Sequence, residues 1–290
     1  MNSFTIRDIE NLSGIKAHTL RIWEHRYNFM TPKRKESNHR FYDNEDLKHI
    51  LRISYLYHSG RKISNIALMA DKEINDIIDK ENALNTNEFL ITQLMEASID
   101  FDEDKFETVL NTSFNKTNVE DAIINVIYPY LNKIGLLWLT EHIIPAQEHF
   151  SSNIISHKLL SKIDSLSLVP NPKSKRVLLF TPVNEHHEIP ILFIQYLFKK
   201  YGHRVIYFGA SVQLNDIEEY CALHTVDVLH FNIITNLNGI PLNEYVTRVS
   251  HKFPKQKIIV SGPAAGEVTC TMQNTRLLVS MQQLLEYVKE

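Results

Sequence analysis

The periodicity of this chain changes at residues 169–175, where Pro170, Asn171 and Pro172 interrupt it. Upstream, apolar residues recur every three or four positions, the spacing of one face of a helix. Downstream, short apolar runs at 176–181, 204–208, 227–231, 257–260 and 277–279 alternate with helix-like stretches. That alternation is the pattern of a parallel sheet covered by helices, a doubly wound α/β domain. The length of 290 residues leaves room for more than one core. Apolar content of 43% with 22% charged residues is that of a water-soluble protein. No apolar run reaches the roughly 18 residues that span a bilayer, so a cytoplasmic protein without a membrane partner is expected. Cys221 and Cys270 are too far apart to suggest a disulfide framework.

Net charge is −3, yet the positive charge gathers at one end. Residues 16–40 hold Lys16, Arg21, Arg26, Lys33, Arg34, Lys35 and Arg40 against Glu24 and Glu36. Such a patch favours a polyanion through phosphate contacts and counterion release. Its setting is specific. Thr5 stands as an N-cap before Ile6, Ile9 and Leu12 on one face, and Ser13 with Gly14 forms the break. A second helix starts at Lys16, with Leu20, Trp23 and Tyr27 facing inward. This is helix-turn-helix spacing, and it places Lys16, His18, Thr19 and Arg21 near the end that enters a major groove, with Arg26 and Tyr27 one turn on. Residues 32–43 then read as a basic wing in which Lys35, Arg40 and Tyr42 meet the DNA backbone. Asp43 caps a further helix packed by Leu47, Ile50, Leu51, Ser54 and Leu56, Gly60 ends it, and Ile63, Ile66 and Leu68 begin a fourth.

From 83 to 168 the chain has almost no glycine and repeats apolar positions at helical spacing, predicting a four-helix bundle. Pro145 suits the first turn of its last helix, which places Glu148 and His149 one turn inside. The neighbouring pairs Glu141-His142 and Glu148-His149 lack the Glu-x-x-His spacing of a bundle metal site, since adjacent helical residues diverge by about 100°. In the α/β part, ligands are expected at the loops after the strands. The first such loop has no Gly-x-Gly-x-x-Gly and holds instead Glu185 two residues before His187, a carboxylate able to orient an imidazole for a metal. Residues 261–266 are the next phosphate-loop candidate and lack that spacing too.

Residues 1–72 closely resemble the DNA-binding domain of the MerR family at Thr5-Ile-Arg-Asp-Ile, Thr19-Leu-Arg-Ile-Trp-Glu, Pro32, Arg40-Phe-Tyr-Asp43 and Gly60. The bundle is similar to the cobalamin-binding cap of methionine synthase and of CarA/CarH-type repressors, through Trp138, nine residues, then Glu148-His149. That resemblance implies that Trp138, Glu148 and His149 cover the upper face of the cofactor. The last domain is similar to the cobalamin-binding α/β module. There Glu185 and His187 would supply the lower axial cobalt ligand, and Asn232, Ser261 and Gly262 would line the groove for the nucleotide tail.

The chain departs from the pattern at four places. Leu139 follows Trp138 where photosensing relatives have His, Pro190 replaces a glycine, and Asn232 and Ser261 replace smaller residues. The expected fold is therefore multidomain: an all-α winged helix-turn-helix head at 1–75, a four-helix-bundle cobalamin cap at 83–168, and a doubly wound, flavodoxin-like cobalamin-binding-type domain at 175–290. The resemblance implies a bacterial MerR-type regulator rather than an enzyme, a repressor of carotenoid or photoprotection genes gated by adenosylcobalamin. It implies partners too, a double-stranded DNA operator and further copies of the chain in a homo-oligomer. A cobalamin-independent repressor with a degenerate cobalamin fold stays open, and so does a corrinoid carrier subunit of a methyltransferase or mutase.

Overall fold

The computed structural model describes residues 3–29, 32–34, 40–81, 86–139, 145–167, 169, 171–235 and 241–290. The chain divides into two compact units, Met1–Ile154 and Ile155–Glu290.

Local chemistry sets the first helices. α1 (Ile6–Ser13) starts with a capping box: Thr5 Oγ1 accepts from Asp8 N, and Asp8 Oδ2 accepts from Thr5 N at 2.6 Å. Gly14, at φ 71°, ends it in the left-handed conformation that glycine adopts without a Cβ penalty. α2 (Ala17–Tyr27) has no capping side chain of its own at Lys16. Glu10 of α1 does that work, its Oε2 accepting from Ala17 N at 3.1 Å. The wing is a pair of short antiparallel strands, β1 (Lys33–Arg34) and β2 (Arg40–Phe41), with its tip outside the described residues. A second capping box, Asp43 with Asp46, opens α3 (Asn44–His58). Leu47, Ile50, Leu51, Ser54 and Leu56 are buried, as the spacing predicts.

The fourth helix departs from expectation. α4 (Ile63–Ile66) is a single turn, and Leu68 is 86% exposed rather than part of a helical face. α5 (Asp71–Glu81) follows and buries Ile74 and Ile78, so the expected boundary at residue 75 falls inside a helix.

The bundle comprises α6 (Asn87–Asp100), α7 (Glu103–Lys116), a long third member and α10 (Pro145–Asp164). The third member is composite: α8 (Val119–Ala122), a π-helical turn at Ile123–Ile127, and α9 (Tyr128–Leu139). The π turn closes with Tyr128 N donating to Ile123 O, directly before Pro129, whose ring nitrogen carries no hydrogen for the next helical bond. Phe106, Leu110, Ile123, Ile127, Tyr130 and Ile134 are all at or below 1% exposure and form the bundle core.

The segments read as separate domains at 1–75 and 83–168 pack together, up to Ile154, into one unit. The joint is ionic. Glu96 of α6 is 2% exposed and accepts from Arg52 of α3 (2.8 and 3.1 Å) and from Lys105 of α7 (2.9 Å). Lys48 of α3 reaches Asp100 at 2.9 Å. Beside these pairs the ring of Tyr55 meets Phe89 edge-on, with centroids 5.5 Å apart. Burial opposes the charge of Glu96, but Arg52 and Lys105 hold its carboxyl below the usual range.

The second unit carries a five-stranded, all-parallel sheet in the order β4-β3-β5-β6-β7. Its members are β3 (Arg176–Pro182), β4 (Arg204–Val212), β5 (Val228–Asn232), β6 (Lys257–Ser261) and β7 (Thr275–Leu278). α11 (Glu188–Lys200), α12 (Leu214–Leu223), α13 (Leu242–Lys252) and α14 (Met281–Tyr287) alternate with them. This is the expected doubly wound, flavodoxin-like order, whose topological switch lies between β3 and β5. Pro190 is the third residue of α11, in the first turn, where a helix leaves its amides without internal partners.

Removing the Glu96 carboxylate would strand two cations at a largely buried joint. Glu96→Ala is expected to lower the unfolding free energy of the first unit by about 3 kcal/mol in chemical denaturation.

Candidate functional site

α2 buries Leu20 and Trp23 and turns its other side to solvent. Lys16, His18, Arg21 and Arg26 are exposed, and Thr19 and Tyr27 are half-buried. The Lys16 ammonium lies 3.1 Å from Glu10, so its charge is shared with an acid of α1. Arg26 lies over the Tyr27 ring. The exposed face also carries two residues outside the expected set, Ile22 (45% exposed) and His25, which line a hollow with His18, Arg21 and Arg26. Their signal was in the sequence: 18, 22 and 25 share one helical face, and an exposed isoleucine there can meet a thymine methyl.

On the wing, Arg40 is exposed and sits 3.8 Å from Glu24. Lys35 lies outside the described residues. Tyr42 corrects the expectation of a DNA contact, since it is fully buried. Its backbone pairs with Phe4 in an isolated bridge, and its hydroxyl donates to Glu24 Oε2 at 3.4 Å. Burial, with Glu24 adding to it, pushes the phenol up to about 12. Tyr42 belongs to the core because the bridge to Phe4 turns it inward.

In the bundle, Trp138 is in the last turn of α9, and Glu141 and His142 fall outside the described residues. Glu148 and His149 are in the first turns of α10. Although neighbours on a helix diverge, these two side chains turn together, His149 Nδ1 lying 3.0 Å from Glu148 Oε2. His149 is exposed and Glu148 half-buried.

The switch point of the sheet is occupied by one carboxylate. Glu185, in the loop after β3, is 0% exposed. Its Oε2 accepts from Ile234 N (2.8 Å), Thr235 N (3.0 Å) and Thr235 Oγ1 (3.3 Å), all in the loop after β5. Its Oε1 accepts from His187 N at 3.1 Å and faces His187 Nδ1 at 2.6 Å. The backbone carbonyl of Glu185 accepts from Thr181 Oγ1 and from Ser211 N, which brings in the end of β4. Burial raises the carboxyl pKa, but the donors from His187, Thr235 and Ile234 win and hold it at about 2. The carboxylate is therefore charged and draws the Nδ1–H of His187 towards itself, which makes Nε2 the nitrogen that a metal would take from the neutral form of the ring. The His187 side chain is 53% exposed. That is the donor set of a metal-ligating histidine oriented by a carboxylate. Sequence reasoning found Glu185 and His187 and missed the amides of Ile234 and Thr235, because a backbone donor has no residue-type signature.

The expected tail-groove residues are placed differently. Asn232 and Ser261 pair across β5 and β6 and are 4% and 2% exposed. Asn232 Nδ2 donates to Ser261 Oγ at 2.9 Å, and His230 Nε2 lies 2.9 Å from the same oxygen. Burial pushes the His230 imidazole down to about 3, so it is neutral. Among the described residues, Asn232 Oδ1 and His230 Nδ1 are buried without hydrogen-bond partners. A Cβ on Gly262 would stand 2.2 Å from Ile233 O, so the neighbouring loop fills the space that its missing side chain leaves. Asn232, Ser261 and His230 form a closed polar contact, with Gly262 against Ile233 beside it, instead of an open groove wall. The lower-ligand side of the site thus fits a corrinoid, and the tail side fits it less well.

Residues 4–73 match the MerR HTH family regulatory protein and residues 90–160 match the B12 binding domain. The chain therefore joins a MerR-type helix-turn-helix to a B12-binding-type helical domain, followed by a parallel α/β sheet. It is homologous to two transcriptional repressors of Myxococcus xanthus. It is 27% identical to CarA over 79% of this chain and 76% of the relative, and 22% identical to CarH over 91% and 89%. The structure of the Methanosarcina barkeri monomethylamine corrinoid protein shares the fold. Its TM-score is 0.53 at 11% identity, covering 70% of this chain and 99% of that one.

Because the folded Glu185 carboxyl titrates below its ordinary 4.5, its contribution is complete above that pH and is lost as pH falls towards 2. Across that window wild-type protein is expected to lose about 3 kcal/mol of stability that Glu185→Gln does not lose, read by urea denaturation at stepped pH.

Proposed function

We propose that this protein is a MerR-type DNA-binding transcriptional repressor gated by cobalamin, with adenosylcobalamin as the form it senses. The observation that carries the reading is the charged Glu185 carboxylate holding Nδ1 of a solvent-facing His187 at the switch point of the sheet. His187 would hold the cobalt, and Trp138, Glu148 and His149 would contact the corrin. When bound, adenosylcobalamin would supply a cleavable cobalt–carbon bond. Glu185 fixes the tautomer and direction of the imidazole, and its bonds to Ile234 and Thr235 keep the loops after β3 and β5 in one arrangement. Carotenoid or photoprotection genes would be its targets, as the resemblance to CarA/CarH-type repressors implies. Leu139, in place of an imidazole beside Trp138, speaks against light chemistry that needs that group.

On the DNA side, Arg21, Arg26 and Arg40 are exposed and placed on the second helix and the wing. Lys16, His18, Thr19 and Tyr27 complete the proposed contacts. The basic face concentrates phosphate contacts, and assembly of several chains on repeated sites would multiply affinity through effective concentration. A cobalamin-independent repressor is the second reading, favoured by the closed contact of Asn232 with Ser261. A corrinoid carrier subunit would have no use for the basic head.

The test is incubation with adenosylcobalamin in the dark, removal of free cofactor, and an absorption spectrum of what is retained. Stoichiometric retention with an imidazole-ligated spectrum that His187→Ala converts to a ligand-free one supports cobalamin gating. A folded, DNA-binding protein that retains none leaves the cofactor-independent reading. Separately, Arg21→Ala and Arg40→Ala are each expected to weaken operator binding about tenfold at unchanged melting temperature. Loss of a phosphate contact would also reduce the salt slope by about 1.

A further inference from the structure

The corner between α1 and α2 is held by Glu10 of α1 and by groups from outside both helices. α1 has no basic residue in its last turn; Ser13 Oγ and Gly14 N donate to Ile9 O and Glu10 O, while the carbonyls of Leu12 and Ser13 take donors from elsewhere. Ser13 O accepts from Ser54 Oγ at 2.7 Å and lies 3.0 Å from His58 Nε2, both of α3. Leu12 O accepts from Lys133 Nζ at 2.6 Å. Lys133 belongs to α9 of the bundle, 121 residues away in sequence. On the other side of the corner, Glu10 ties α1 to the first amide of α2. Recognition helix, corner and bundle are therefore joined in series by named hydrogen bonds.

Lys133 is half-buried, and desolvation lowers the pKa of its ammonium, with Glu88 acting the other way. An ammonium gives up hydration there for a bond to a carbonyl at a helix C-terminus, the end at which the macrodipole favours a cation. Apolar neighbours on the same helix, Tyr130, Ile134 and Leu137, are buried at 1% exposure or less, so the backbone that carries Lys133 is anchored. The lysine also stands five residues before Trp138, about 7.5 Å of helical rise.

We propose that Lys133 is a positioning residue for DNA reading: through Leu12 O it fixes the α1–α2 corner, and with it the angle at which α2 presents His18, Arg21 and Arg26. This rests on the reading of α2 as the DNA-reading helix. It makes the bundle part of the recognition machinery, since the grip on the corner comes from a helix whose last turn also carries Trp138, a residue assigned to the cofactor.

The experiment uses the full chain and two duplexes, one enriched from a random pool by the wild-type protein and one of unrelated sequence. Lys133→Met is expected to weaken binding to the enriched duplex about tenfold, to leave binding to the unrelated duplex within twofold, and to keep the melting temperature. Lys133→Arg, which retains a cationic donor, is expected to restore the preference. A Lys133→Met protein that binds the enriched duplex within twofold of wild type overturns the proposal. So does an affinity loss that tracks a lowered melting temperature and is not rescued by arginine. A wild-type protein that enriches no sequence would overturn the reading of α2 itself, and this assignment with it.

Discussion

A carboxylate withdrawn from water must be surrounded by donors, and the loop edge of the sheet is organised around that need at Glu185. Both of its oxygens are occupied, one by the amides and hydroxyl after β5, the other by the amide and ring of His187. The parallel sheet brings these loops to one edge, and the strand order opens a crevice between β3 and β5. The carboxylate then closes the loops into one arrangement. The direction of the imidazole is a by-product of that closure, so stability and candidate chemistry share the same bonds.

The first unit handles charge by the same rule, with different results on two sides of the head. Arg21, Arg26 and Arg40 face solvent, while Lys48 and Arg52 on α3 are answered by Asp100 and Glu96 of the bundle. The basic composition of the head thus serves two purposes. One set of cations is left available to phosphate, and the other holds the head against α6. A head joined in this way meets DNA in the orientation that the bundle gives it.

What was legible in the sequence is what is local. Thr5, Asp43 and Pro145 announce helix starts because a cap acts within three residues, and all three stand where expected. The buried strands are legible because both faces of a parallel sheet are covered, which leaves unbroken apolar runs. Pairings across the fold were not legible. Tyr42 reads as a wing aromatic until Phe4 pairs with its backbone and turns it inward. Leu68 sits at a helical position in a segment whose helix stops after one turn. The contact among Asn232, Ser261 and His230 depends on the register of β5 against β6, and that register is set by the sheet as a whole. Within the candidate site, the residue types of Glu185 and His187 were visible, whereas the donors that make the glutamate charged were main-chain groups.

The π turn at Ile123–Ile127 has a consequence for everything after it on the same helix. A wider turn takes one residue more than an α-helical turn, and each residue is worth about 100° of rotation about the axis. Pro129, Tyr130, Lys133 and Trp138 all follow it, so their azimuths are fixed together by that single wide turn. It works as a phase setting: drawing the same residues into regular α-helical pitch would swing Lys133 away from Leu12 and re-aim the Trp138 position by the same angle, whereas deleting one residue within the turn would restore regular pitch and keep both where they are.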